Sequence, residues 1–240
     1  MEQKARTARQ RAREAITEEI LSAARARLTS QGPGELSLRA VARDVGMVSS
    51  AVYRYFASRD ELLTALLIEG YNNLGEAAED ADAAIADRAD IAARWRAACH
   101  AIRTWSIEHP GDYALLYGSP VPGYAAPQDT IAPATRVIVV LIAIVVDAHT
   151  TGSVRTPTAP ASAPPGTAST IAAAVEFVTA QDGFDTPFDA EIAMRTLMAW
   201  TTMFGTISFE LFGHLVGSVS DYEAYYDQTV VRIGADLGIL

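Results

Sequence analysis

LSLRAVARDVGMVSSAVYRYFASRDELL, residues 36–63, holds two short apolar repeats separated by a glycine. Leu38, Val41, Ala42 and Val45 recur at helical spacing, and Ser37 can cap them by accepting a hydrogen bond from a free backbone N–H. That predicts a helix over residues 38–45. Gly46 ends it, because a helix closes most easily on a residue that tolerates positive φ. Val48, Val52 and Phe56 form a second apolar set at a spacing of four, which predicts a second helix over residues 48–56. Ser58 and Glu61 then form a capping box that opens a third helix through Leu62, Leu63, Leu66, Leu67 and Tyr71.

Off the apolar stripe of the second short helix lie Ser49, Ser50, Ala51, Tyr53, Arg54 and Tyr55. Small hydroxyls and a tyrosine suit phosphate oxygens, and an arginine can grip a guanine edge through two parallel hydrogen bonds. The competing reading is a helical corner packed inside an enzyme. An enzyme needs a catalytic constellation, and the chain has no Gly-x-Ser-x-Gly elbow, no His-Glu-x-x-His and no phosphate loop. Its acids are expected on solvent faces, and no catalytic residue is nominated.

This stretch resembles the DNA-binding domain of the TetR/AcrR family of transcriptional regulators. The resemblance is carried by Gly46-Met47-Val48-Ser49-Ser50-Ala51-Val52-Tyr53-Arg54-Tyr55-Phe56 and by Ser58-Arg59-Asp60-Glu61-Leu62-Leu63, and it covers about the first quarter of the chain. Val48 stands where the family has a capping serine, so the cap shifts to Ser49 or is lost, and Tyr55 replaces a histidine. Seen through the family, the DNA-binding set is Arg39, Ser49, Ser50, Ala51, Tyr53, Arg54, Tyr55 and Arg59. Tyr53 and Arg59 are expected on phosphates, and Arg39 and Arg54 on base edges.

Charge gives an independent test. The whole chain carries a formal net charge of -10 at pH 7, yet residues 1–61 carry eleven basic residues against eight acids. A basic head on an acidic remainder confines phosphate attraction to one end of the molecule. Residues 1–13 hold five positive charges and no apolar face, so they are expected to form a mobile basic arm that orders on the phosphate backbone or in the minor groove. No apolar run of signal-peptide length follows it. Ile16, Ile20, Leu21, Ala24 and Leu28 mark a helix that buttresses the other two. Gly32-Pro33-Gly34 is not a nucleotide loop, because the third glycine of that pattern is a serine and a helix precedes it.

Beyond Tyr71 the helical pattern continues. With 50% hydrophobic and 20% charged residues, the chain has the composition of a folded cytoplasmic protein. The lone Cys99 permits neither an intrachain disulfide nor a thiolate cluster, and His100, His109, His149 and His214 have no metal-ligand spacing, so no metal or cofactor is expected. The apolar run over residues 137–146 is too short to cross a bilayer needing about 20 residues and reads as a buried helix, with no membrane partner. Four prolines within residues 150–167 predict a flexible loop. Helices are expected over residues 91–109, 113–117, 134–147, 169–179, 189–212 and 221–237, with Pro187 at the start of the second-last. The class is all-α with nine or ten helices. The divisions are an arm at residues 1–13, a helix-turn-helix head at 14–60, and a ligand-binding and dimerisation domain at 61–240.

Trp105, His109-Pro110, Tyr113, Tyr117 and Gly118, with Trp200 to Gly205 and Phe209 to His214, resemble one subgroup of the family more loosely. The stripe from Met194 to Leu211 covers more than one helical face and so needs a second burial surface, which nominates Phe204, Leu211 and Tyr225 for a homodimer interface. Trp105, His109, Tyr113, Tyr117, Trp200 and Phe204 are the nominated pocket residues. The expectation is a homodimeric repressor that a small-molecule effector releases from double-stranded operator DNA. Its rival is a DNA-binding protein without ligand control.

Overall fold

The computed structural model describes residues 7–154, 166–180 and 189–240, and every regular element among them is helical. Eleven α-helices follow one another among the described residues: α1 (Ala8–Gln31), α2 (Leu38–Asp44), α3 (Ser49–Val52), α4 (Arg59–Ala83), α5 (Ile91–Glu108), α6 (Pro110–Tyr117), α7 (Ile131–Thr150), α8 (Thr167–Thr170), α9 (Ala172–Thr179), α10 (Ala190–Leu211) and α11 (Tyr222–Asp236). The chain forms two compact units. The first comprises residues up to 72 together with 108–134, and the second residues 73–107 and 135–240.

Local chemistry sets most helix ends. Thr7 and Gln10 form a reciprocal capping box, with the Gln10 N–H donating to Thr7 Oγ1 at 3.2 Å and the Thr7 N–H donating to Gln10 Oε1 at 2.8 Å. The helix therefore begins at Ala8, and residues 8–13, expected in a flexible arm, are its first turns. At the other end of the head's second helix, Gly46 takes φ 66° and donates to Arg43 O while Met47 donates to Ala42 O at 2.8 Å, which is the Schellman closure. Asp189 and Asp221 cap α10 and α11 by accepting from Glu191 N–H and Ala224 N–H.

The head's interior is formed by Ile20, Leu21, Ala24, Leu28, Leu38, Val41, Val52, Phe56, Leu62, Leu63 and Leu66. The first unit also takes in α6, although its place in the sequence puts it within the expected second domain. A Cβ on Gly111 would lie 2.5 Å from Thr29 Oγ1 and 2.6 Å from Thr29 N, so only glycine lets α6 approach α1 this closely.

The second unit is organised around α7. Its Val137, Val140, Leu141, Ile142, Ile144, Val145 and Ala148 are buried, so the long apolar helix forms core. Ties between helices come from buried polar groups. Arg94, 2% exposed, donates to Asp82 at 2.7 Å, to Asp147 at 2.7 Å and to the Arg88 carbonyl at 3.2 Å. Arg103 forms a two-pronged bond to Glu210 at 2.9 and 2.7 Å. Trp95 donates to the Val230 carbonyl and Tyr226 to the Cys99 carbonyl. The acids were expected on solvent faces, whereas Asp82, Asp112 and Glu210 are largely enclosed. Residues 155–165 of the proline-rich segment, Pro187 and residues 1–6 lie outside the described residues; α7 and α8 enter the expected loop from its two ends.

Candidate nucleic-acid interface and ligand cavity

The reading helix is shorter than its apolar spacing suggests. Regular α-helix covers Ser49–Val52, and the chain continues in tight turns, with Arg54 N–H donating to Ala51 O and Tyr55 N–H to Val52 O, as far as Phe56. Neither Ser37 nor Val48 makes a side-chain cap bond, so the expected Ser37 cap is absent. Arg39, Ser50, Tyr53 and Arg54 stand exposed, with Tyr53 45% accessible, while Ser49 and Ala51 are half-buried. Val48, placed by spacing on the inner stripe, is 71% exposed instead. The inward position of α3 is held by Val52, its last residue, which is fully buried.

Two nominated DNA contacts have other partners. Arg59 Nε donates to Leu36 O at 2.9 Å, and its Nη2 to Pro33 O and Gly34 O at 3.0 Å each. It thereby ties the turn before α2 to the start of α4. Tyr55 is half-buried against the head core, with the Arg13 guanidinium 5.2 Å from its ring centre. The capping box also differs in one partner: Glu61 N–H donates to Ser58 Oγ, but the Glu61 carboxylate accepts from Ala57 N–H.

Beside the reading helix, a cleft is lined by Arg9, Ala12, Arg13, Ile16, Met47, Ala51, Arg54 and Tyr55. It gathers three arginines, two from α1 and one from the reading element. Arg43, also exposed, is one helical turn beyond Arg39. That spacing of four was the signal for it in the sequence. Arg27 is unavailable, being bound to Asp44 at 2.5 and 2.8 Å, and its hydrogen bonds hold the Asp44 carboxyl below the usual carboxylate range.

The nominated pocket residues are divided between the two units. Tyr113 and Tyr117 belong to the first unit, their ring centres 5.3 Å apart and their planes tilted by 39°, and Tyr117 meets Tyr71 edge-on at 6.1 Å. Burial pushes the Tyr117 phenol above its usual range. His109 is in that unit as well, at the start of α6. Trp105 and Phe204 belong to the second unit and are buried. The cavity that does exist there has a volume of about 240 Å³. Its walls are Thr135, Ile138 and Ile142 of α7, Ala174, Phe177 and Val178 of α9, and Ala193, Thr196, Leu197 and Trp200 of α10. Of the six nominated residues, Trp200 lines it.

Phe204, nominated for an interface as well, is 7% exposed and meets Trp200 edge-on at 6.0 Å. The outward stripe of α10 is Met198, Thr201, Thr202, Gly205 and Phe209, with Met198 55% and Phe209 53% exposed. Leu211 is half-buried, and Tyr225 of α11 is 42% exposed.

Residues 20–66 match the family described as bacterial regulatory proteins, tetR family, and residues 95–233 match the tetracyclin repressor-like C-terminal domain. An HTH-type transcriptional regulator of Mycobacterium tuberculosis is 40% identical over 209 residues, covering 85% of this chain and 84% of its own. The chain belongs to the TetR family. An HTH-type regulator of Mycobacterium bovis is equally similar, 40% identical over 209 residues with the same coverage. Among solved structures, the regulatory protein SCO4313 superposes with a TM-score of 0.71 at 29% identity, covering 95% of this chain and 98% of its own. The TetR-family regulator PfmR of Thermus thermophilus shares the fold, with a TM-score of 0.58 at 20% identity over 88% of this chain and 97% of its own. This TetR-family chain is a DNA-binding transcriptional regulator with a helix-turn-helix head, and α2, the Gly46 turn and α3 are that motif.

Proposed function

We propose that this regulator is a homodimeric repressor that reads an operator in double-stranded DNA and leaves it when a small molecule occupies the second unit. The observation that carries this reading is the pairing of two unfilled surfaces on α10: its inner face borders a partly open apolar cavity, and its outer face exposes Met198 and Phe209. A chain folded in water keeps so many large apolar groups outside chiefly where another protein surface covers them. The isologous partner is a second copy, whose α10 and α11 bring the same stripe and Tyr225.

In this reading Arg39, Ser50, Tyr53 and Arg54, with Val48, face the groove, and Arg9, Arg13 and Arg43 face phosphates. Val48 supplies an apolar contact of the kind that reads a thymine methyl. Two heads then engage half-sites about 34–36 Å apart, or a multiple of that. The effector acts through differential affinity for two states, so effector and operator must each lower the other's affinity by the same factor. The protein works in the cytoplasm, with no cofactor and no membrane.

The test is to sequence the genomic fragments that the purified protein retains, then to titrate the recovered site. Retention of one palindromic sequence by a dimer supports the reading. Uniform retention of all fragments overturns sequence-specific recognition. Sedimentation of Phe209→Glu tests assembly: a folded monomer is expected, and a dimer unchanged in stability would move the interface off this face.

A further inference from the structure

The cavity between α7, α9 and α10 is walled by branched aliphatic residues, among them Ile138, Ile142 and Leu197, and by the aromatic faces of Phe177 and Trp200. Among the described residues that line it, none carries a charge. The Thr196 hydroxyl already donates to the Ile192 carbonyl at 2.8 Å. Arg195, next in sequence, is held by Glu191 at 2.8 Å and by Asp236 at 2.7 Å. An ionised group set against these walls would give up part of its water and find no counter-charge among the described residues that line them. A hydrocarbon would lose only unfavourable hydration.

We propose that the cavity takes an uncharged, largely aromatic hydrocarbon molecule of about two fused rings and rejects carboxylates, phosphates and ammonium ions; this rests on the reading of the second unit as the effector domain. Size supports the two rings: an apolar cavity of roughly 150 Å³ accepts benzene. The volume here is about 240 Å³, which leaves room for a second ring. Phe177 and Trp200 supply the flat faces against which such a molecule packs.

The protein is titrated with naphthalene, 1-naphthoate and 1-naphthylmethylammonium, following calorimetry and tryptophan emission, with Trp200→Phe identifying the share that comes from Trp200. Naphthalene should saturate at one molecule per chain, and both ions should bind at least about tenfold more weakly. Ala174→Leu and Ile138→Trp fill the space and should abolish binding; Ala174 is half-buried, so its variant keeps the test alive if Ile138→Trp fails to fold. Leu197, also half-buried, offers a reversal: Leu197→Arg should make naphthoate the tighter ligand. Either ion binding as tightly as naphthalene, no binding of naphthalene, or binding untouched by the filling variants overturns the proposal. Operator release, read separately by anisotropy, distinguishes the two layers. Naphthalene that binds without releasing DNA removes ligand control and leaves the ligand class standing. Release by an ionised compound, with naphthalene inert, does the reverse.

Discussion

In α1, α2 and α3 every described buried residue is apolar, while Arg39, Ser50, Tyr53 and Arg54 stand in solvent. In the second unit Arg94 and Arg195 are buried and Met198, Phe209 and Tyr225 stand outside. The same residue types thus occupy opposite places. An exposed arginine presents its whole charge to a polyanion, whereas an arginine enclosed by two carboxylates is neutralised and serves to bind helices together. The head presents charge to the solvent, and the body presents apolar side chains.

The inverted polarity of the second unit breaks most readily at Arg94. Arg94→Leu leaves the Asp82 carboxylate enclosed with one weaker partner, so it should lower unfolding stability by about 3–5 kcal/mol. Adding Asp82→Asn should restore part of that loss in chemical denaturation. If the double variant is no better than the single one, the charge left behind is not what costs stability.

Gly111→Ala comes next. The methyl group must enter space held by the Thr29 backbone, so about 1–3 kcal/mol should be lost from the first unit. Thr29→Ser should leave stability nearly unchanged, since the hydroxyl oxygen is kept.

Much of this architecture is legible in sequence where the cause is local. The Asp189 and Asp221 caps, the Gly46 closure and the Ser58–Glu61 bond each depend on residues within five positions of each other, so they can be read directly. Arg59 could not be read that way: its acceptors lie 23–26 positions earlier and are backbone carbonyls, which any sequence would offer. The cavity is hidden for a related reason. Its walls are ordinary alanine, isoleucine and threonine from three separate segments, while the conspicuous aromatics Trp105, Tyr113 and Tyr117 are divided between two units and do not line it. The α10 stripe covers more than one face, and Phe204 falls on the inner one, buried beside Met203 and Ile207.

The two arginines of the head sharpen the comparison. Arg54→Ala should cost about 1–3 kcal/mol on the preferred operator and relax preference there. Arg59→Ala should instead lower the melting temperature and leave the ratio of specific to random binding unchanged. A change in that ratio without loss of stability would return Arg59 to the DNA surface.

The smallest effect is in pH dependence. Burial raises the Asp112 carboxyl above its usual range, despite Arg25 and His109. Its favourable contribution is complete below the unfolded pKa and is lost as pH rises through the raised folded value. Asp82 has the opposite sign: burial pushes it up, but hydrogen bonds from Arg94 and Arg88 hold it below its usual range. Its contribution is present above the unfolded pKa and lost as pH falls through the folded one. As pH rises from acid to neutral, Asp112→Asn should therefore gain on the wild type and Asp82→Asn should fall behind it, the Asp82→Asn deficit shrinking again as pH falls through the folded Asp82 value.

The most direct test of the contrast between the units is the salt dependence of binding to random duplex DNA. Removing one cation that neutralises a phosphate should flatten the slope of log affinity against log salt by about 0.9. Arg9→Ala, in the cleft beside the reading helix, should flatten it by that amount, and Arg96→Ala, a partly exposed cation of the second unit beside Asp227, should leave it unchanged. Equal flattening by both would contradict a phosphate-facing surface confined to the head.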